Sequence, residues 1–172
     1  MPAHGHTVEL ITTKEIDLFL PIMRELADDF GDRFLLSMLH WCGIGKRANP
    51  LLFWEVFLLR AKREILGVCG LYQMSETPAS LAWLGWFGIR PAFRRLGYGS
   101  SAIHSLADRT REMDCKELWV YTGSSDEAAR HFYTKLGFQL LGSARDYAPG
   151  KTMDDSDVVL KLSLLRDRSL FD

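Results

Sequence analysis

The chain has 172 residues, 47% apolar and 25% charged, with 21 Lys and Arg against 22 Asp and Glu for a formal net charge of -1. This profile fits one globular domain over 1–172 with tails at 1–6 and 166–172, and it excludes a disordered chain. With no surplus charge to attract nucleic acid or an anionic membrane, no apolar run long enough to span a bilayer and no signal-peptide pattern, the expectation is a cytoplasmic protein, monomeric or homodimeric.

Val8–Thr12 is a short β-prone run, after which Ile16, Phe19, Leu20, Met23, Leu26, Ala27 and Phe30 recur at steps of three and four up to Gly31. That spacing predicts an amphipathic helix with a glycine stop. Arg33–Trp41 reads as a second, shorter helix and Gly43–Pro50 as a loop rich in breakers. Leu51–Arg60 and Ile65–Met74 are apolar runs close enough to form a hairpin. After a turn at Ser75–Ser80, Leu81–Ile89 (LAWLGWFGI) carries no charge, which predicts a central strand covered on both faces. Helical spacing returns at Ala102, Ile103, Leu106, Ala107 and Met113, and Leu118–Thr122 is a further buried strand. Asp126 can cap a helix whose inner face is Ala129, Phe132, Tyr133 and Leu136 and which Gly137 ends. Phe138–Leu141 and Val158–Leu164 complete an α/β order of βααβββαβαββ, the last strand alternating Val158, Leu160, Leu162 and Leu164 on one face. No repeat or linker interrupts it.

Strand Leu81–Ile89 runs through Arg90–Phe93 into Arg94-Arg95-Leu96-Gly97-Tyr98-Gly99-Ser100, where a helix begins. A strand, a glycine turn and a helix N-terminus in succession make an anion site, because backbone N–H groups converge and the helix dipole favours negative charge. Gly97 and Gly99 let the backbone approach a phosphate where a Cβ would intrude, and Arg94 and Arg95 add charge at the rim. The absence of GxxxxGK[ST] and GxGxxG argues against ATP, GTP and dinucleotides. On the residues alone, a glycine turn with solvated arginines competes equally.

Ile89-x-Pro91-x-x-Arg94-Arg95-Leu96-Gly97-Tyr98-Gly99 resembles the acetyl-coenzyme A loop of the GCN5-related N-acetyltransferase (GNAT) superfamily, Q/R-x-x-G-x-G/A after a strand ending V-x-P. Downstream, Asp126-Glu127-Ala128-Ala129-Arg130-His131-Phe132-Tyr133-Thr134-Lys135-Leu136-Gly137-Phe138 is similar to the family's second block, N-x-x-A-x-x-F/L-Y-x-x-L-G-F. The resemblance spans roughly Leu51 to Leu164 and implies a mixed, mostly antiparallel sheet of about seven strands flanked by about four helices. It also implies that the sheet splays open between Leu81–Ile89 and the next strand, with acetyl-CoA as co-substrate and no metal. By the same resemblance, the N–H groups of Arg95, Leu96, Gly97, Tyr98, Gly99 and Ser100 hold the pyrophosphate beside Arg94, and the pantetheine arm pairs with backbone near Phe87 and Ile89. The N–H of Phe87 matches the family position that faces the thioester oxygen, where a fixed donor would meet the negative charge that grows during attack. The resemblance further implies that Asp126, Ala129 and Tyr133 lie against the coenzyme and that the Tyr133 phenol, protonated at neutral pH, protonates the departing thiolate.

Three positions depart from the family pattern: Asp126 replaces Asn, Arg95 replaces Gly, and Trp83 stands where many members carry a Glu that serves as base. Glu55, Glu76 or no side chain at all then takes the amine proton. By periodicity alone Tyr133 is a core residue. His40, His104 and His131 share no ligand spacing, and Pro2-Ala3-His4 reads as tail rather than copper site. Cys42, Cys69 and Cys115, odd in number and without CxxC spacing, read as buried free thiols. Trp41, Trp54, Trp83, Trp86 and Trp119 read mainly as core, with Trp83 and Trp86 able to shape an acceptor pocket. Arg145–Asp155 reads as a solvated hairpin loop or as a polar lip favouring a cationic amine. The functional expectation is acetyl transfer to a primary amine of a small molecule by direct attack in a ternary complex. A non-catalytic acyl-CoA-binding module and an enzyme acting on a protein or peptide amine are the alternatives.

Overall fold

The computed structural model describes residues 6–45, 51–74, 77–147 and 156–165, and the side chains of these except 51–54. In chain order the elements are β1 (Glu9–Thr12), α1 (Ile16–Phe30), α2 (Asp32–Trp41), β2 (Leu51–Ala61), β3 (Glu64–Met74), β4 (Leu81–Ile89), α3 (Tyr98–Glu112), β5 (Glu117–Gly123), α4 (Glu127–Lys135), β6 (Gln139–Ser143), α5 (Ala144–Tyr147) and β7 (Asp157–Ser163). A 3₁₀ turn at Pro91–Phe93 precedes α3. The expected order is all present. The structure adds α5, a single turn of four residues, too short for any hydrophobic period to show; the Arg145 N–H donates to Ser143 Oγ at its start.

The seven strands form one sheet in the order β1-β2-β3-β4-β5-β7-β6, antiparallel except for β4 and β5. The uncharged run Leu81–Ile89 is the middle strand, and Leu81, Ala82, Trp83 and Leu84 are all buried. Period-two alternation divides β2 between two cores: Phe57 and Leu59 face α3 and α4, whereas Val56 and Leu58 face α1 and α2. A third cluster, Tyr72, Met74, Trp83, Ala144 and Val159, with Trp119, Tyr121 and Leu141 against it, occupies the face of α1 and α2 farther along the sheet. No described helix is long and apolar enough to cross a membrane.

Two irregularities interrupt the middle of the sheet. Parallel pairing of β4 with β5 covers only Leu81–Leu84 against Glu117–Val120. Beyond it β4 stays with β3 through Ile89 and β5 stays with β7 through Gly123, so the sheet opens between them. On the β3 side, Gly70 pairs with Gly85 and Val68 with Gly88, leaving Trp86 and Phe87 opposite the single residue Cys69. This is a β-bulge, and Trp86 takes φ +51°, a region that bulky residues enter only under constraint.

Candidate active site

The loop from β4 to α3 is built from left-handed residues: Arg95 has φ +63° and Gly97 φ +85°. Ser101 N–H donates to Gly97 O at 3.2 Å, but the N–H groups of Arg95 through Ser100 meet no acceptor among the described residues. Three of them, from Tyr98, Gly99 and Ser100, belong to the first turn of α3, where the dipole adds positive potential. Such a run of donors accommodates an anion of phosphate geometry.

The two glycines serve different needs. Gly97 is required by its φ, since an added Cβ would meet nothing nearer than His6 Cδ2 at 3.8 Å; at Gly99 a Cβ would touch the Phe132 ring at 3.4 Å, so this glycine brings α3 close to α4. The arginines also differ. The Arg94 side chain turns away from the rim, donating from Nε to Ile89 O at 2.7 Å and pairing with Asp29 of α1. Arg95 is exposed and forms no ion pair among the described residues, so its side chain is the one left at the rim. The His6 ring lies 4.4 Å from that of Tyr98, a contact across more than 90 positions that no local pattern marks, since His6 reads as part of a tail.

Phe87 and Ile89 of β4 and Tyr133 of α4 belong to one apolar cluster. Phe87 has no register partner in β3 or β5, and its ring stacks on Phe132 of α4 at 5.9 Å and 15°. Ile89 pairs with Gly67 while its far side faces the opening. Tyr133 is 6% exposed, with its ring 5.2 Å from those of Phe132 and Phe138. Burial, then the Asp126 carboxylate, then Cys69 push its phenol well above the ordinary range, so it remains a hydrogen donor at every physiological pH. Asp126 caps α4, accepting from Ala129 N–H at 3.0 Å, and Ala129 packs on the core. Cys69 lies opposite the bulge, but desolvation raises its thiol well above normal and disfavours a thiolate nucleophile. The three cysteines are free, and Cys42 is half-buried rather than buried.

On the opposite face, Trp83 is fully buried and packs between Tyr72 (6.3 Å, 14°), Trp119 (5.4 Å) and Tyr121 (6.3 Å). It is a core residue and lines no surface. Trp86 is half-buried, its indole against Phe30 and Phe34 at 5.8 and 5.7 Å. Glu55 is held on the α3 side by Arg109 at 3.1 Å and Thr12 at 3.2 Å, two strands from β4 and so about 10 Å away laterally. Its carboxylate is engaged by these two partners on that face. Glu76, His4 and 148–155 of the polar loop lie outside the described residues, while Arg145–Tyr147 are in α5. Among the described residues no His, Cys, Asp and Glu cluster could hold a metal.

Comparison with known proteins agrees with this geometry. The model of the acetyltransferase (GNAT) family matches residues 19–138, more than half of the chain, and the protein belongs to that family. YdgE of Bacillus subtilis (strain 168), an uncharacterized N-acetyltransferase, is 27% identical over 96 residues, 56% of this chain and 60% of YdgE. The match therefore spans less than two thirds of that relative's length. A probable GNAT-family acetyltransferase from Chromobacterium violaceum superposes with a TM-score of 0.68 at 19% identity, covering 94% of this chain and 85% of its own. A Bacillus subtilis acetyltransferase solved in complex with CoA gives 0.62 at 16% identity, covering 93% and 99%. At these identities the structures share the fold.

Proposed function

We propose that this protein transfers an acetyl group from acetyl-CoA to a primary amine of a small molecule, by direct attack in a ternary complex. One observation carries the reading: the edge of β4 from Gly85 to Ile89, without a β5 partner, leads directly to six N–H groups that lack an acceptor among the described residues. An extended amide-bearing arm ending in a diphosphate matches both halves of that arrangement, and a CoA complex of a same-fold protein supports it.

When bound, acetyl-CoA would supply the activated thioester; the chain supplies the rest. The N–H groups of Arg95 through Ser100 bind the pyrophosphate, with Arg95 rather than Arg94 giving the outer charge. Phe87 and Ile89 offer backbone to the pantetheine arm, and Phe87 N–H points where charge grows on the thioester oxygen. Tyr133 donates from its phenol to the departing sulfur. Ala129 and the α4 cap Asp126 border the arm, with Asp126 also helping to keep Tyr133 protonated. Three free thiols fit a cytoplasmic setting.

The buried Trp83 in the carboxylate position favours a second reading, a module that binds acyl-CoA without turnover. Calorimetric titration with CoA, run beside acetyl-CoA consumption across amines, polyamines, amino acids and peptides, separates the two. Binding with turnover of a small amine supports transfer, turnover of peptides alone moves the acceptor to proteins, and binding without turnover of any amine leaves the module. Absence of binding overturns both.

A further inference from the structure

The face of the sheet opposite α3 carries aromatic side chains where an incoming amine needs a partner. Tyr72 of β3 and Tyr121 of β5 flank β4, and their side chains share a hydrogen bond. The bond bridges β4 at Gly85, where an added Cβ would stand 2.9 Å from Tyr72 Cε1. Only glycine lets the Tyr72 ring lie across the strand. Trp83 stacks on Tyr72 and meets Tyr121 at 62°, so both rings are fixed by a buried indole. Val120 is the last β5 residue paired with β4, and Tyr121 follows it. The phenol pair therefore spans the apex of the opening, with Tyr72 buried and Tyr121 half-buried. Gly85 and Phe87 are two residues apart and less than about 7 Å along the bulged strand, which sets Tyr121 within reach of an amine attacking a thioester held at Phe87.

We propose that Tyr121 holds the acceptor: its phenolic oxygen accepts a hydrogen bond from the amine N–H and aims the nitrogen lone pair at the thioester, while Tyr72 is the positioning residue that donates to Tyr121. The inference rests on the acetyltransferase reading. As the N–C bond forms, the C–S bond breaks; nitrogen loses its proton to water and sulfur leaves as the thiol, receiving a proton from Tyr133 that water replaces. A neutral phenol pair cannot deprotonate an ammonium ion, so the acceptor is taken as the free base. Besides Tyr72 on β3, the charged groups among the described residues that act on Tyr121 include Asp157 of β7 and Arg33 of α2, which act in opposite directions. Burial holds both phenols above their ordinary value, so neither ionises between pH 6 and about 9.

The test compares wild type with Tyr121→Phe, Tyr72→Phe and the double variant, which keep the rings and remove only hydroxyls. Melting temperature, the CoA Kd, and kcat and KM for a primary amine and for acetyl-CoA are measured in parallel. The proposal expects Tyr121→Phe to lower kcat/KM for the amine about 10- to 100-fold, chiefly through KM, with CoA affinity and acetyl-CoA KM unchanged and the melting temperature lowered by roughly 2–10 °C, because the buried Tyr72 hydroxyl loses its acceptor. It expects Tyr72→Phe to lower kcat/KM less, and the double variant to be no worse than Tyr121→Phe, because Tyr72 acts only through Tyr121. Amine kinetics of Tyr121→Phe matching wild type, or additive losses in the double variant, overturn the proposal while transfer stands. Wild type that turns over no amine overturns the transfer reading itself, and this proposal with it.

Discussion

Substituting Gly97 by alanine separates a backbone requirement from a ligand requirement. At φ +85° an L-residue costs about 1–2 kcal/mol, and for a chain of this size each kcal/mol lowers the melting temperature by roughly 2–4 °C. Nothing else opposes the new methyl, since its nearest neighbour is His6 Cδ2 at 3.8 Å, so a drop of about 2–8 °C is the whole expected effect on stability. The Cβ enters open space beside the N–H groups of Arg95 through Ser100. Losing two charge-assisted bonds there, at about 1.5–3 kcal/mol each, weakens CoA binding more than about 100-fold. Gly137→Ala is the matched control: φ is +92° and the Cβ would rest 3.6 Å from Leu162 Cδ1, so it carries the same strain at the far end of α4. Calorimetric titration and thermal melting of both variants decide the matter. If Gly97→Ala binds CoA as Gly137→Ala does, the loop does not hold the pyrophosphate.

Tyr133→Phe retains the packing against Phe132 and Phe138, so melting and CoA binding should persist while kcat falls about 10²- to 10⁴-fold; full activity would leave this tyrosine a core residue. For an alkyl amine of pKa near 10.4, log(kcat/KM) should rise with unit slope up to that value, and Glu55→Gln should leave the profile in place. A plateau at a lower pKa, or a profile flat between about pH 6 and 9, would contradict this. Glu25, whose side chain accepts from Arg90 at 2.6 and 2.9 Å, has its carboxyl lowered chiefly by that hydrogen bond. Its stabilisation is therefore complete above the ordinary value of 4.5 and is lost as the pH falls through the lowered one. Glu25→Gln should flatten the acid-side decline of melting temperature between about pH 5 and 3, and an unchanged slope would refute the linkage.

Local signals in the sequence led to much of this arrangement. The uncharged LAWLGWFGI is the middle strand because both faces are covered, and Asp126 and Gly137 bracket α4 through a cap and a left-handed stop. The Val158, Leu160, Leu162 and Leu164 alternation faces one core. What stayed hidden was pairing over long separations. Arg94 reads as a solvated rim charge until α1 brings Asp29 to it, 65 positions away, and Glu55 reads as a free acid until Arg109 arrives from α3. The bulge that sets Trp86 and Phe87 against Cys69 leaves no mark on the apolar pattern. Tyr72 and Tyr121 look like ordinary strand aromatics until Gly85 is seen as the place where one ring crosses the sheet.

The opening between β4 and β5 also creates two sheet edges in the interior of the sheet rather than at its rim. Outer strands are commonly protected by charge, proline or shortness, but Gly85–Ile89 carries none of these and stands open along its β5 side. Such an edge is a template for any extended chain, including a segment of a neighbouring molecule. The coenzyme arm, laid along it, would act as a chaperone in the literal sense, occupying the groups on which aggregation would otherwise nucleate. Protein purified free of CoA should therefore associate faster on mild heating than protein saturated with it, as followed by light scattering below the melting temperature.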